Sequence, residues 1–232
     1  MNIVNKYHKE LLKFKNVHFG KTCYIFGSGS TVHQFKIQEE GTFIGCNHII
    51  KNNHIKENLK YYFFGHGYME HKTDNIPIYG NHKKEVDALN NDIQKFAMVS
   101  RDNDISVHLF TPESIADLKN INAIPCDINL NFIYADLENN SFLNHSIIFP
   151  AVQFAMYAGF KKIYLVGCDC NGYFHSNGFT GACASKAEPI DNDLVYYWKQ
   201  MFEFKKIVYG DCSIININPV GLKGLMDADI IL

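Results

Sequence analysis

The chain has 232 residues, 47% of them hydrophobic, and a formal net charge of −2. That is enough apolar material for one sizeable core and too little length for two ordinary α/β domains. The near-neutral balance gives no overall attraction to nucleic acid, and no run approaches the roughly 20 apolar residues that cross a bilayer.

Residues 1 to 10 carry no apolar signal region, so a cytoplasmic protein is expected, without a transmembrane segment and with at most a peripheral association with membranes. Arginine occurs once, at Arg101, among 22 basic residues, and a bidentate anion clamp would have to use it. There are seven cysteines. Cys23, Cys46, Cys168, Cys170 and Cys212 sit in or beside apolar runs and read as reduced core thiols. Cys168-Asp169-Cys170, with His175 and Cys183 nearby, has zinc-ligand residue types. The C-x-C spacing is not that of a zinc knuckle and no second pair follows, so no metal is expected.

In chain order, residues 5 to 16 predict a short amphipathic helix. Cys23 to Phe26 is a buried strand that stops at Gly27-Ser28-Gly29-Ser30-Thr31, with a short helix expected from Thr31. A second strand, Thr42 to Cys46, stops at Asn47. Lys60 to Phe64 is a third, ending at Gly65-His66-Gly67. Ile76 to Tyr79 reads as a short edge strand. Lys83 to Phe96 reads as a helix through Val86, Leu89, Ile93 and Phe96. Ser106 to Phe110 reads as a strand. Residues 119 to 145 are the least patterned part, with a strand at Ile128 to Tyr134. Pro150 to Ala158 is an apolar helix closed by Gly159. Ile163 to Val166 has the continuous apolar character of a central parallel strand and ends at Gly167-Cys168-Asp169. A loop over 171 to 187, a helix over 191 to 204 and a last strand, Cys212 to Ile217, follow. These elements predict one Rossmann-like α/β domain over 1–232, with a mostly parallel sheet, helices on both faces and lid segments at 119–145 and 171–190.

The candidate site gathers at the carboxyl ends of strands, where open α/β sheets bind ligands. A strand running through a glycine turn into a helix brings backbone N–H groups to an anion. This assigns Gly27, Ser28, Gly29, Ser30 and Thr31 to a phosphate-bearing ligand. Val32 stands where a dinucleotide fingerprint has its third glycine, and Asn47 where it has an acid. Gly65 and His66 open beside the first turn, and His66 reads either as a ligand contact or as a polar loop residue. Gly167 and Asp169 end the central strand. Asp169 reads either as a ligand carboxylate or as a cap of the next turn through its backbone N–H groups.

Three of these segments, with the last strand, resemble the bacterial lipooligosaccharide sialyltransferases, glycosyltransferase family 42. Gly27 to Thr31 is similar to that family's Gly-Asn-Gly-Pro-Ser, and Gly45-Cys46-Asn47 to its Arg-Cys-Asn. Gly159 to Asp169 is similar to its Gly-Tyr-Lys-Glu-Ile-Tyr-Leu-Ser-Gly-Ile-Asp, and the ending Asn218-Pro219 to its Cys-Pro-Asn. The outline also resembles archaeal pterin diphosphokinases and motility accessory factors. The resemblance implies a CMP-activated sugar donor, with Asn47 bonding the nucleotide, a lid over the donor and no required metal or other cofactor. It also implies a surface-glycan acceptor and a lid histidine as general base. Ile147-Ile148 replace that family's Ser-Gly, and Gly65-His66-Gly67 its Asn-Pro-Ser. His175 lies somewhat before the lid histidine and takes the base by position, with Asp169 beside it in the catalytic set. The expected function is therefore sialyltransferase-like glycosyl transfer. The alternatives are an Mg²⁺-dependent diphosphokinase, with Asp169 toward the metal, and a non-catalytic nucleotide-binding protein. An oligomer is compatible with all three.

Overall fold

The computed structural model describes residues 10–65, 86–100, 121–127, 141–142, 146–170, 190 and 192–232. Nine strands form one sheet: β1 (Thr22–Phe26), β2 (Thr42–Cys46), β3 (Leu59–Phe64), β4 (Gln94–Ser100), β5 (Ile121–Asp127), β6 (Ser141–Phe142), β7 (Lys162–Val166), β8 (Ser213–Ile217) and β9 (Ala228–Ile230). Their spatial order is β6-β5-β4-β3-β2-β1-β7-β8-β9, and every pairing is parallel. The chain steps outward from β1 to β6, then crosses back to place β7 on the other side of β1. Strand order therefore reverses between β1 and β7.

Both faces of the sheet are covered, which is why its central strands read as unbroken apolar runs. One face carries α2 (Ile148–Tyr157), segment 10–21 and the inner side of α3 (Asn192–Val208), through Leu11, Phe14, Trp198, Met201 and Phe202. All ten residues of α2 are buried. Ala151 and Ala155 allow its close approach to the sheet, and Phe149 meets Trp198 of α3 with ring centroids 5.0 Å apart. The other face has no long crossover helix between β1 and β2. Instead a 3-10 helix at Ser30–Gln34 leads to Phe35, which packs edge-on against Tyr24 and Phe26. A second 3-10 helix, Asn47–Lys51, and α1 (Asn53–Asn58) supply Ile49, Ile50 and Ile55 to the same layer.

Several elements differ from the sequence expectation. The helix expected over 83–96 does not reach its expected end: Val86 and Asp87 are helical, residues 88–93 form turns that bury Leu89 and Ile93, residues from Gln94 onward are β4, and residues 83–85 lie outside the described residues. The helical spacing of Val86, Leu89, Ile93 and Phe96 crosses the turn-forming Asn90-Asn91-Asp92, while Phe96 to Val99 is a continuous apolar run suited to a strand buried on both faces. Residues 121–127 and 141–142, inside the segment left unpatterned, are strands of the sheet. In segment 10–16 only residues 10–12 are helical. The expected strands at 76–79, 106–110 and 128–134 lie outside the described residues, as do the lid segment at 171–189 and the rest of 119–145. Among the described residues no helix is long and apolar enough to cross a membrane.

At the amino edge, His18 is 4% exposed and stacks on Phe160 at 4.3 Å. Its Nε2 and the Tyr61 hydroxyl share a hydrogen bond of 2.6 Å. Burial, with Lys60 and Lys21 nearby, lowers its pKa from 6.5 to about 4. The unfolded chain therefore takes up a proton before the folded one. The stability held above pH 6.5 is lost as the pH falls toward 4. The shift corresponds to about 3 kcal/mol. Urea denaturation across this range should show that fall, and His18→Gln should flatten it.

Candidate functional site

The reversal of strand order between β1 and β7 is the topological switch point at which α/β sheets open a ligand crevice. The Gly27–Thr31 turn leaves β1 there and Gly167–Cys170 leaves β7. The two turns are joined by backbone bonds: Gly27 N–H donates to Val166 O and Gly29 N–H to Gly167 O, each at 2.8 Å. Packing between them leaves no room for side chains. A Cβ at Gly27 would lie 2.5 Å from Gly167 O. Gly167 has φ +66°, and a Cβ there would lie 2.9 Å from Val32 Cβ.

Asp169 closes this junction and is 3% exposed. Its Oδ2 accepts from Thr31 N–H at 2.9 Å and from Ser30 Oγ at 3.2 Å, and its Oδ1 accepts from Thr31 Oγ1. The carboxylate thus caps the 3-10 helix at Ser30–Gln34, in the place an anion would take at a helix start. Gly29 is glycine for the same reason, since a Cβ there would sit 2.5 Å from Asp169 Oδ2. The cap that Asp169 forms is not on the turn that follows it, as its sequence position suggested, but on a turn 138 residues earlier in the chain.

With Thr31 N–H, Ser30 Oγ and Thr31 Oγ1 engaged, the turn's remaining donors are the Ser28 N–H and hydroxyl and the Ser30 N–H. Gly27 and Gly29 direct their amides at β7, whereas the half-buried Ser28 N–H and hydroxyl have no partner among the described residues. One strand over, Asn47 follows β2 with φ +51°. Its carbonyl accepts from Tyr62 Oη at 2.7 Å. Its Oδ1 is buried with no partner among the described residues. A buried amide oxygen left unpaired is costly unless a ligand or water completes it. Gly65 ends β3 at the same carboxyl edge. His66 and His175 lie outside the described residues.

Sequence reasoning did not place Asn218 in the site. It follows β8 with φ +50°, its Oδ1 accepts from Leu232 N–H at 2.8 Å, and its Nδ2 is buried with no partner among the described residues. Gly221 N–H donates to Asp169 O at 2.9 Å, so the turn after β8 lies over Asp169 and Cys170. Cys170 itself has φ +53°. Asn47, Cys170 and Asn218 are thus three left-handed residues, without glycine's freedom, at the carboxyl ends of three strands. Such strained positions cluster at functional sites. The available sequence signal was an Asn immediately before Pro219 at a strand end.

The cysteines behave as core. Cys23, Cys46, Cys168, Cys170 and Cys212 are buried free thiols. Burial pushes the thiol pKa of Cys46 and Cys168 far up and that of Cys212 to about 12. Among the described residues no group of three or more His, Cys, Asp or Glu is placed to hold a metal ion.

No family model matches the chain, and no curated protein matches it. Among solved structures it is similar to the sialyltransferase CstII from Campylobacter jejuni, determined in complex with a substrate analogue, cytidine-5'-monophosphate. The identity is 16%, the match covers 85% of this chain and 80% of that one, and the TM-score is 0.49. That likeness is one of outline and assigns neither ligand nor reaction.

Proposed function

We propose that the crevice between β1 and β7 binds the nucleotide of a CMP-activated sugar and that the protein transfers the sugar to a hydroxyl of a surface glycan. The observation that carries this reading is the pairing of unmet groups at adjacent strand ends: donors at Ser28 and the buried acceptor Asn47 Oδ1. Ser28 N–H and its hydroxyl suit phosphate oxygens. Asn47 Oδ1 suits a ribose hydroxyl or a base amine. In this reading Asp169 is a positioning residue that holds the turn from behind, and His175 is the general base that takes the acceptor's proton as the sugar–phosphate bond breaks.

The Mg²⁺-dependent diphosphate-transfer alternative requires a carboxylate facing the metal. Asp169, its candidate, has both oxygens bonded to Ser30 and Thr31, which favours the first reading.

Thermal-shift measurements with CMP, UDP, ATP and pterins, each with and without Mg²⁺, test it. Stabilisation by CMP without metal is expected. Stabilisation by ATP with Mg²⁺ alone would overturn it in favour of diphosphate transfer, and no shift with any ligand would favour a protein that binds none of them. Asn47 supplies the matching variant. Because Asn47 is left-handed, Asn47→Ala would add about 1 kcal/mol of backbone strain, whereas Asn47→Gly removes the amide without it. Asn47→Gly should leave the melting temperature of the free protein nearly unchanged. It should weaken CMP binding by about 1–3 kcal/mol, the cost of an unpaired polar contact. Unchanged affinity by calorimetry would remove Asn47 from the site.

A further inference from the structure

The amino edge of the sheet, opposite the crevice, holds an apolar projection among lysines. Segment 10–21 is fastened there by three amides, those of Asn16, His18 and Gly20, which donate to the carbonyls of Tyr157, Ala158 and Gly159 at 3.1, 2.8 and 3.0 Å. These contacts complete the carboxyl end of α2. Leu11 and Phe14 turn into the core, while Leu12, Val17 and Phe19 remain 45%, 47% and 82% exposed. Phe19 is held outward by a fixed backbone. Its N–H donates to Asn16 O at 3.1 Å, and its Cα lies 3.1 Å from where a Cβ on Gly159 would stand.

Three exposed lysines, Lys21, Lys60 and Lys161, lie on the same edge. Lys161 N–H donates to Lys21 O at 2.8 Å, which sets those two residues side by side. Lys60 precedes Tyr61, whose hydroxyl is bonded at 2.6 Å to His18, the residue before Phe19. Glu39, toward the other face of this edge, is tied to Lys162 at 2.7 Å. An aromatic side chain standing in water amid cationic side chains fits a surface that is apolar at shallow depth and negatively charged above it. An anionic bilayer has that layering, and a folded polyanion such as duplex nucleic acid offers the charge without the apolar layer.

We propose that this amino edge docks on an anionic lipid bilayer, with Phe19 and Val17 entering at headgroup depth and Lys21, Lys60 and Lys161 facing the lipid charges. The crevice, at the opposite ends of the strands, then faces away from the bilayer. This inference is independent of what the crevice binds.

Co-sedimentation of the full chain with vesicles tests it, comparing pure phosphatidylcholine with phosphatidylcholine containing about 30 mol % phosphatidylserine. Binding to the anionic vesicles is expected, weakening with added salt and falling about tenfold or more on pure phosphatidylcholine. Phe19→Ser should lower the partition about tenfold, and Lys21→Glu with Lys161→Glu should abolish it, with circular dichroism and CMP binding unchanged. Should either variant not fold, Val17→Ser and Lys60→Glu replace them with the same expected direction. No sedimentation of the wild type with anionic vesicles, or sedimentation that these changes leave intact, would overturn the proposal. So would retention on duplex oligonucleotide without vesicle binding, which would assign the lysines to nucleic acid.

Discussion

Gly29→Ala is expected to destabilise the fold by about 3 kcal/mol, a fall in melting temperature of roughly 6–12 °C for a chain of this size. The new methyl would lie 2.5 Å from Asp169 Oδ2, 2.6 Å from its Cγ and 2.7 Å from Gly167 O. A shift of the carboxylate alone cannot relieve this, because the third neighbour is backbone at the end of β7. The backbone cannot shift freely either, since Gly29 N–H is bonded to that same Gly167 O. Accommodation requires breaking the Asp169 bonds to Ser30 and Thr31 or separating the two strand ends. Gly210→Ala is the control: the nearest atom to a Cβ there is 3.4 Å away. It should melt within about 0.5 kcal/mol of the wild type. Thermal or urea unfolding of the two variants measures the difference.

Asp169→Ala should have the second large effect, about 2–3 kcal/mol in stability, because it leaves Thr31 N–H without its partner and removes a charged acceptor of three hydrogen bonds. Asp169→Asn should cost less. With its amide oxygen at the Oδ2 position it can still accept from Thr31 N–H and Ser30 Oγ, and the Thr31 hydroxyl can rotate to accept from its NH₂. The proposed role of Asp169 also predicts the pattern of ligand effects. A residue that only touches ligand would lose CMP affinity while the free protein melted normally. A residue that holds the turn should lose both together, with Asn intermediate in both. Melting curves with and without saturating CMP separate these cases. A free Asp169→Ala protein that melts like the wild type would show that this carboxylate does not hold the turn.

Much of the sheet could be read from the chain. The strands β1, β2, β3, β7 and β8 are continuous apolar runs ended by Gly or Asn, and their observed limits fall within a residue or so of the expected ones. β4 was hidden because Val86, Leu89, Ile93 and Phe96 satisfy a helical period by coincidence across a turn. β5 was hidden because it includes Asn122 in a sheet interior. Asn122 Nδ2 donates to Lys95 O at 3.1 Å and its Oδ1 accepts from Lys13 Nζ at 3.0 Å. Partners so distant in sequence leave no local pattern. The location of the candidate site was legible for a simple reason: glycine-rich breaks after apolar runs mark strand ends, and parallel strands put all such ends on one edge. Its internal wiring was not. Gly29 and Thr31 fit a phosphate turn locally, yet what they meet is Asp169, on a strand that becomes their neighbour only when β7 crosses back beside β1. That contact leaves the free donors of the turn at Ser28 and at the Ser30 amide.

The most direct test is therefore amide hydrogen exchange of the turn with and without saturating CMP, in the absence of divalent metal. In the free protein, Gly27, Gly29 and Thr31 amides are bonded to Val166 O, Gly167 O and Asp169, while the Ser28 amide has no partner among the described residues. Ser28 is expected to gain about tenfold or more in protection when CMP binds, since a new hydrogen bond closes its open N–H, with little change at Gly27, Gly29 and Thr31. CMP binding that leaves Ser28 exchange unchanged, or protection confined to the amino edge of the sheet, would contradict the assignment of the β1/β7 crevice as the nucleotide site.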